Sequence, residues 1–124
     1  MNVLLDTDIA IEILRAKDMG IVSRWAGLAG SGADIYSSPI VAAEIWAGAR
    51  PQEHATIVRF FGAIDCLPAD YETGRLAGEL LLKYARSHSL EIPDALIAAA
   101  ALQHHAALWT RNRKHYPMPQ LTFY

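Results

Sequence analysis

Three consecutive apolar residues, Val3-Leu4-Leu5, open the chain and break off at Asp6-Thr7-Asp8. From Ile9 to Arg15 the apolar positions then recur as on one face of a helix. The first run is too short for a helix and uninterrupted by polar residues, so it reads as a strand over Val3–Asp6, buried on both faces. Asp8 is a fair N-cap for the helix that follows. The same alternation continues downstream. A helix is expected over Ile21–Leu28, ended by the glycine-rich GLAGSGA, and a strand over Asp34–Ser37. Pro39 then begins the helix PIVAAEIWAGA, since proline suits the first helical turn. Pro51 starts a helix through about Phe61, and Ile64–Leu67 is a strand. From Asp70 to about Ser87 runs a long amphipathic helix with Leu76, Leu80 and Tyr84 spaced by four. Pro93 opens the alanine-rich PDALIAAAALQHH, Ala107–Thr110 is a strand, and TRNRKHY is a loop or short turn. Leu121–Tyr124 is a weak final strand. Strands alternating with helices predict an α/β fold with a mostly parallel sheet covered on both faces.

Composition bounds this picture. At 124 residues the chain is one ordinary domain, 1–124. A domain of this size buries roughly two thirds of its unfolded surface and folds without a disulfide or structural metal. Hydrophobic residues at 52% and charged ones at 19% exclude a disordered chain. Cys66 is the only cysteine, so no internal disulfide and no thiolate zinc site can form, and a reducing, cytoplasmic setting is expected. No basic segment precedes an apolar one at the N-terminus, so no leader is expected. Ala95 to Leu108 is too short to span a bilayer. The net charge of −2 gives no general argument for nucleic acid, but TRNRKH, Thr110 to His115, carries three positive charges and no acid.

Parallel sheets bind ligands beyond the carboxyl ends of their strands. Asp6, Ser37-Ser38-Pro39 and Thr110-Arg111-Asn112 fall at such ends. An acid at the end of a buried strand must be paired, hydrogen-bonded or metal-bound. Glu44 lies on a helix apolar on most sides, where it either faces water or joins a site. Asp94, in the first turn of its helix, either complements the helix dipole or stands beside a metal-bound phosphate. Asp8 has its own explanation as a cap and is left outside the site. Three acids converging with no matching base would repel, and a divalent cation resolves that. All-oxygen ligands favour Mg²⁺, with Mn²⁺ a possible substitute. Arg111, Arg113, Lys114 and His115 are either a solvated turn or contacts to an RNA backbone. His104 and His105 point about 100° apart on a helix and do not chelate together. Trp25, Trp46 and Trp109 are core or interface residues, and the apolar surplus around Trp46 favours a homodimer or a partner protein.

Taken in order, LLDTDI, AAEIWAGA, IPDALIAAAAL and LWTRNRKHYP resemble the PIN-domain ribonucleases, above all the VapC-type toxins of bacterial toxin–antitoxin pairs. The resemblance covers nearly the whole chain. It implies a three-layer α/β/α PIN-like fold and Mg²⁺-dependent endonucleolytic hydrolysis of RNA, leaving a 5′-phosphate and a 3′-hydroxyl. It matches Asp6, Glu44 and Asp94 to the family's three invariant acids, as metal ligands and catalytic groups. Thr110 and Asn112 match the polar loop after the fourth strand. Many relatives carry a fourth acid there. Asn112 and His115 stand at the candidate positions without a fixed negative charge, so one firmly held metal is expected, with Asn112 contributing directly or through water. The resemblance also implies a cognate antitoxin protein covering the acidic site.

Three other readings are weighed. A non-catalytic PIN-like module that holds RNA or protein is favoured by the missing fourth acid and opposed by the three that remain. Asp6-Thr7-Asp8 also resembles the Asp-x-Asp of haloacid-dehalogenase-type phosphatases, which need a further acidic pair near a strand end that this chain lacks. A phospho-receiver domain needs a phosphorylatable Asp after its third strand, and Asp65 lies within IDCLP instead.

Overall fold

The structure is a computed structural model describing residues 1–124. Four parallel strands, β1 (Asn2–Leu5), β2 (Asp34–Ser37), β3 (Asp65–Cys66) and β4 (Ala107–Trp109), form one sheet in the order β3-β2-β1-β4. Six helices connect them: α1 (Thr7–Arg15), α2 (Met19–Ala29), α3 (Pro39–Ala47), α4 (His54–Gly62), α5 (Tyr71–His88) and α6 (Ile92–Gln103). Neighbouring residues of a strand point to opposite faces, and Val3, Leu4 and Leu5 are all 0% exposed. Both faces of β1 are therefore covered, and the fold is a three-layer α/β/α sandwich.

β1 is central because its continuous apolar run suits that place alone. It pairs Val3 with Ile35 on one side and with Ala107 on the other. The order reverses at β1, with β2 and β3 on one side and β4 on the other, which opens a crevice at the carboxyl ends of β1 and β4. The pairing outlasts the strand: Asp6 N–H donates to Trp109 O at 2.9 Å, bringing Asp6 beside Thr110.

The helices agree with the pattern in number and differ at their ends. α1 begins at Thr7, two residues earlier than expected, and its N-cap is Asp6, not Asp8. Asp6 takes the extended backbone of a cap and accepts the Thr7 N–H itself, so the strand turns into the helix with no intervening loop. Asp18 caps α2 through the N–H groups of Gly20 and Ile21. Ser38 caps α3 ahead of Pro39. The helix expected from Pro51 starts instead as a 3₁₀ turn over Pro51–Glu53. α5 is capped by Asp70, which exchanges bonds with Thr73. The strand expected over Ile64–Leu67 shrinks to two residues. The final strand is only a bridge from Leu108 to Phe123.

α6 has an unusual seat. Ala95, Ala98, Ala99, Ala100 and Ala101 are all within 1% of complete burial. A helix apolar nearly all round is enclosed on several sides. It packs against α5, α3 and β4, and its small side chains let these neighbours approach closely. That seat fixes the N-terminal turn of α6, which carries Asp94. No helix is long and apolar enough to cross a membrane.

Candidate active site

Asp6 is buried at the carboxyl end of β1, 8% exposed, and its carboxylate accepts three hydrogen bonds. The Thr7 N–H donates to Oδ1 at 2.8 Å. The hydroxyls of Thr110 and Tyr116 each donate to Oδ2 at 2.8 Å. Three neutral donors, one from the start of α1 and two from the 110–116 loop, thus satisfy a carboxylate that would otherwise be costly to bury. Its burial is explained by hydrogen bonding, and the case for a cation rests on the acids around it.

Asp94, half-buried in the first turn of α6, faces the same point from across the crevice. Tyr116 Oη lies 3.5 Å from its Oδ1. Burial pushes the Asp94 carboxyl above the ordinary carboxylate range, and the charge of Asp6 pushes it further, while His115 acts in the opposite direction. Asp8, read above as a cap lying outside the site, belongs to this cluster. It stands in the first turn of α1, where its Oδ1 accepts the Ile9 N–H at 2.7 Å and its Oδ2 the Arg111 N–H at 3.0 Å. Burial raises its carboxyl too, with the charge of Asp6 as the second cause. The helix starts early enough to turn Asp8 toward the 110–116 loop, a register the sequence pattern does not reveal.

Glu44 is exposed on α3, and Thr7 ties it to the others. The Thr7 hydroxyl donates to Glu44 Oε1 at 2.7 Å while its N–H serves Asp6. One residue therefore couples two acids that lie 38 positions apart by their numbers, 44 against 6. Glu44 also forms one end of a groove of about 390 Å³ between α1, α3 and the start of α4. None of the chain's ion pairs reaches Asp6, Asp8, Glu44 or Asp94.

The 110–116 loop does two things. Thr110 orients Asp6, and its oxygen accepts the Asn112 N–H at 3.0 Å, which folds the loop back on the site. The Asn112 side chain is exposed and makes no hydrogen bond to the acids. Of the basic residues, Arg111 pairs with Glu12 at 3.4 Å. Arg113 donates to Tyr124 O at 3.1 Å and lies over the Phe123 ring. Both are engaged by the chain itself, which leaves Lys114 as the loop's exposed cation without an ion pair, with the His115 imidazole exposed beside it. His104 caps α6 and His105 follows with a left-handed backbone, so neither approaches the acids as a pair. Trp109 is core, Trp25 packs against the core, and Trp46 is 39% exposed with its ring edge-on to His54.

Three residues of this site are not apparent from the sequence pattern. Thr7 follows Asp6 directly, and a hydroxyl beside a buried acid is the signal that could have found it. Asp8 reads in the pattern as a helix cap. Tyr116 is an aromatic residue buried at the end of the exposed stretch 111–115; its burial pushes the phenol far up, with the Asp6 charge adding to the effect, so the hydroxyl keeps its proton and acts as a donor.

The donor set is carboxylates and hydroxyls, with no thiolate, which fits a hard divalent cation. No three of the acids are gathered so as to enclose one ion by themselves. Mg²⁺ is commonly held by one or two carboxylates, its own waters and a substrate phosphate, and the uncommitted oxygens of Glu44 and Asp94 suit that mode.

A parallel α/β sandwich with an acidic cluster at the carboxyl ends of its central strands defines a class of ligand-binding and catalytic proteins. Residues 3–120 match the PIN domain, and the chain belongs to the PIN domain family. Ribonuclease VapC19 of Mycobacterium tuberculosis (strain ATCC 25618 / H37Rv) is 36% identical over 116 residues, 93% of this chain and 92% of that protein. Ribonuclease VapC10 of the same strain is 32% identical over 119 residues, 94% and 86% of the two chains. FitAcB from Neisseria gonorrhoeae superposes with a TM-score of 0.74 at 26% identity, covering 98% of this chain and 96% of that one. VapBC2 from Rickettsia felis, solved bound to a DNA fragment from its promoter, superposes with a TM-score of 0.83 over 100% and 98% of the two chains; at 24% identity this likeness is one of fold.

Proposed function

We propose that the chain is a Mg²⁺-dependent endoribonuclease, the toxin of a toxin–antitoxin pair. The observation that carries the reading is the crowding of Asp6, Asp8 and Asp94 at one strand edge, with no ion pair to offset it and with burial and mutual repulsion raising two of the three carboxyls. Such an arrangement is disfavoured in the cation-free chain and is relieved by a divalent ion. The VapC relatives, named as ribonucleases, support the same reading.

Asp6, Glu44 and Asp94 would hold the ion jointly with its own waters and a substrate phosphate, since the three acids do not enclose it by themselves. When bound it supplies charge to a phosphodiester oxygen and lowers the pKa of water. The chain's own groups do the rest. Asp6 is fixed by its three donors and cannot turn away. Glu44, held through one oxygen by Thr7, has a single free oxygen, which would serve either the ion or, instead, an attacking water as proton acceptor. Lys114 and His115, exposed in the loop that carries Thr110, would be available to a phosphate backbone. Arg111 and Arg113 reach RNA only by leaving Glu12 and Tyr124.

A cognate antitoxin protein, a homodimer and a cytoplasmic setting belong to the same proposal. VapBC complexes among the structural relatives support the first, and the exposed Trp46 on an apolar helix supports a protein contact on α3. The test is cleavage of a structured RNA pool by the purified chain, with Mg²⁺ or with EDTA, against Asp6→Asn prepared identically. Cleavage that needs metal and vanishes in the variant supports the nuclease. Equal cleavage by both proteins is contamination and counts against it. Folded, antitoxin-free protein that binds RNA and cleaves nothing supports the non-catalytic binding module.

A further inference from the structure

The Tyr116 side chain enters the site from a loop, and its hydroxyl stands between two acids. It donates to Asp6 Oδ2 at 2.8 Å and approaches Asp94 Oδ1 at 3.5 Å. A phenol has one proton, and the shorter contact takes it, so the bond is to Asp6. Asp94 faces the phenol oxygen at a distance too long for a second bond of similar strength. Thr110 donates to the same Asp6 oxygen, which fills that oxygen's two lone-pair directions and leaves the spare one on Oδ1. Asp6 is then locked in rotation, with one lone-pair direction of Oδ1 left open beside the Thr7 bond.

We propose that Tyr116 is a positioning residue for the cation. Its hydroxyl fixes which Asp6 oxygen is available and keeps the Asp6 and Asp94 carboxylates a set distance apart. This rests on the metal-dependent reading above. Tyr116 touches neither the reacting phosphate nor, in this arrangement, the ion. It works through Asp6, as the hydrogen-bond partners of metal ligands do elsewhere, where their loss lowers metal affinity about 10- to 100-fold. Two features make this residue suited to the task. It is buried, 3% exposed, so water does not replace the lost bond. The ring also packs in the core cluster, so removing the oxygen alone leaves the fold in place.

Mn²⁺ binding to the purified chain without RNA, read by electron paramagnetic resonance, tests it. Tyr116→Phe is compared with wild type and with Tyr71→Phe, a change at an exposed tyrosine on α5. The expected result is a dissociation constant raised at least about 10-fold in Tyr116→Phe and unchanged in Tyr71→Phe. RNA cleavage by Tyr116→Phe should recover at saturating Mn²⁺, a shift in metal requirement that a general loss of structure would not give. Wild-type protein offers a second reading that needs no variant. The Tyr116 hydroxyl proton should exchange slowly and its resonance should move on Mg²⁺ addition but not on NaCl of equal ionic strength. Equal Mn²⁺ affinity in Tyr116→Phe and wild type would overturn the proposal and leave the nuclease reading standing. Tighter binding in the variant would overturn it too, by showing that the hydroxyl competes with the ion. No Mn²⁺ binding by wild type would overturn both.

Discussion

Thr110→Val removes one hydroxyl and almost nothing else. Valine keeps the shape of threonine, and the position is 6% exposed, so packing is preserved. What is lost is the bond donated to Asp6 Oδ2 at 2.8 Å and the acceptor for the Asn112 N–H. The second loss is small, because Asn112 is exposed and water can replace the acceptor. The first is a hydrogen bond to a buried charged group, worth about 1.5–3 kcal/mol. Taking about 2 kcal/mol, and an unfolding entropy near 2.1 cal/mol/K per residue, a chain of 124 residues should melt about 8 °C lower. Thermal unfolding by circular dichroism measures this. The cause is checked by repeating the change in an Asp6→Asn background. There the bond is neutral and worth about 1 kcal/mol, so the two substitutions should fall short of additivity by about 1 kcal/mol. A melting shift under about 2 °C, or strict additivity with Asp6→Asn, would refute the claim that Thr110 holds the Asp6 charge. Metal affinity should fall together with stability, since Asp6 loses one of the groups that orient it.

Other outcomes follow from the same geometry. Asp94→Asn should raise stability at neutral pH while abolishing cleavage. A carboxyl raised in the folded state holds its proton more tightly there than in the unfolded chain, so wild type loses stability as pH climbs from the ordinary value of 3.8 through the raised one, and melting curves of the two proteins should converge below pH 3.8 and separate toward neutrality. Asp8→Asn should show the same sign, for the same causes of burial and the Asp6 charge. Lys114→Ala should reduce the salt dependence of RNA binding by about 0.7 in the log–log slope, the value for one phosphate contact on a single strand, whereas Arg111→Ala and Arg113→Ala should change it less. Ala99→Leu, at a completely buried position of α6, should cost about 1–3 kcal/mol in denaturant unfolding and should weaken cleavage by shifting the turn that carries Asp94.

The parallel architecture was legible because it is written in periodicity. Val3-Leu4-Leu5 has one place in such a sheet, the centre, and the proline-led helices announce their own starts. Helix ends were less legible, because Asp6 both closes a strand and caps a helix, and pattern alone assigns the cap to Asp8. The neighbourhood of Asp6 and Thr110 was legible from the rule that places ligands at strand carboxyl ends, whereas Asp94, at a helix start, was matched to the site through the family resemblance. The hydrogen bonding of Asp6 was not legible. Whether Asp6 is satisfied by a cation or by neutral donors depends on Tyr116, 110 positions away, and on a loop conformation that no local propensity encodes. The occupation of Arg111 by Glu12 and of Arg113 by the chain end is likewise a tertiary fact. A run of basic residues reads the same whether its charges are free or engaged.

The measurement that meets the central claim most directly is single-turnover cleavage of a structured RNA across a Mg²⁺ titration, with the product ends mapped. Hydrolysis at the carboxylate site predicts a rate that saturates with Mg²⁺, is abolished by EDTA and by Asp6→Asn, and leaves 5′-phosphate and 3′-hydroxyl ends. Undiminished cleavage in EDTA with 2′,3′-cyclic phosphate ends would contradict it, because that chemistry uses the RNA's own 2′-hydroxyl and needs neither the cation nor the acids that surround Asp6.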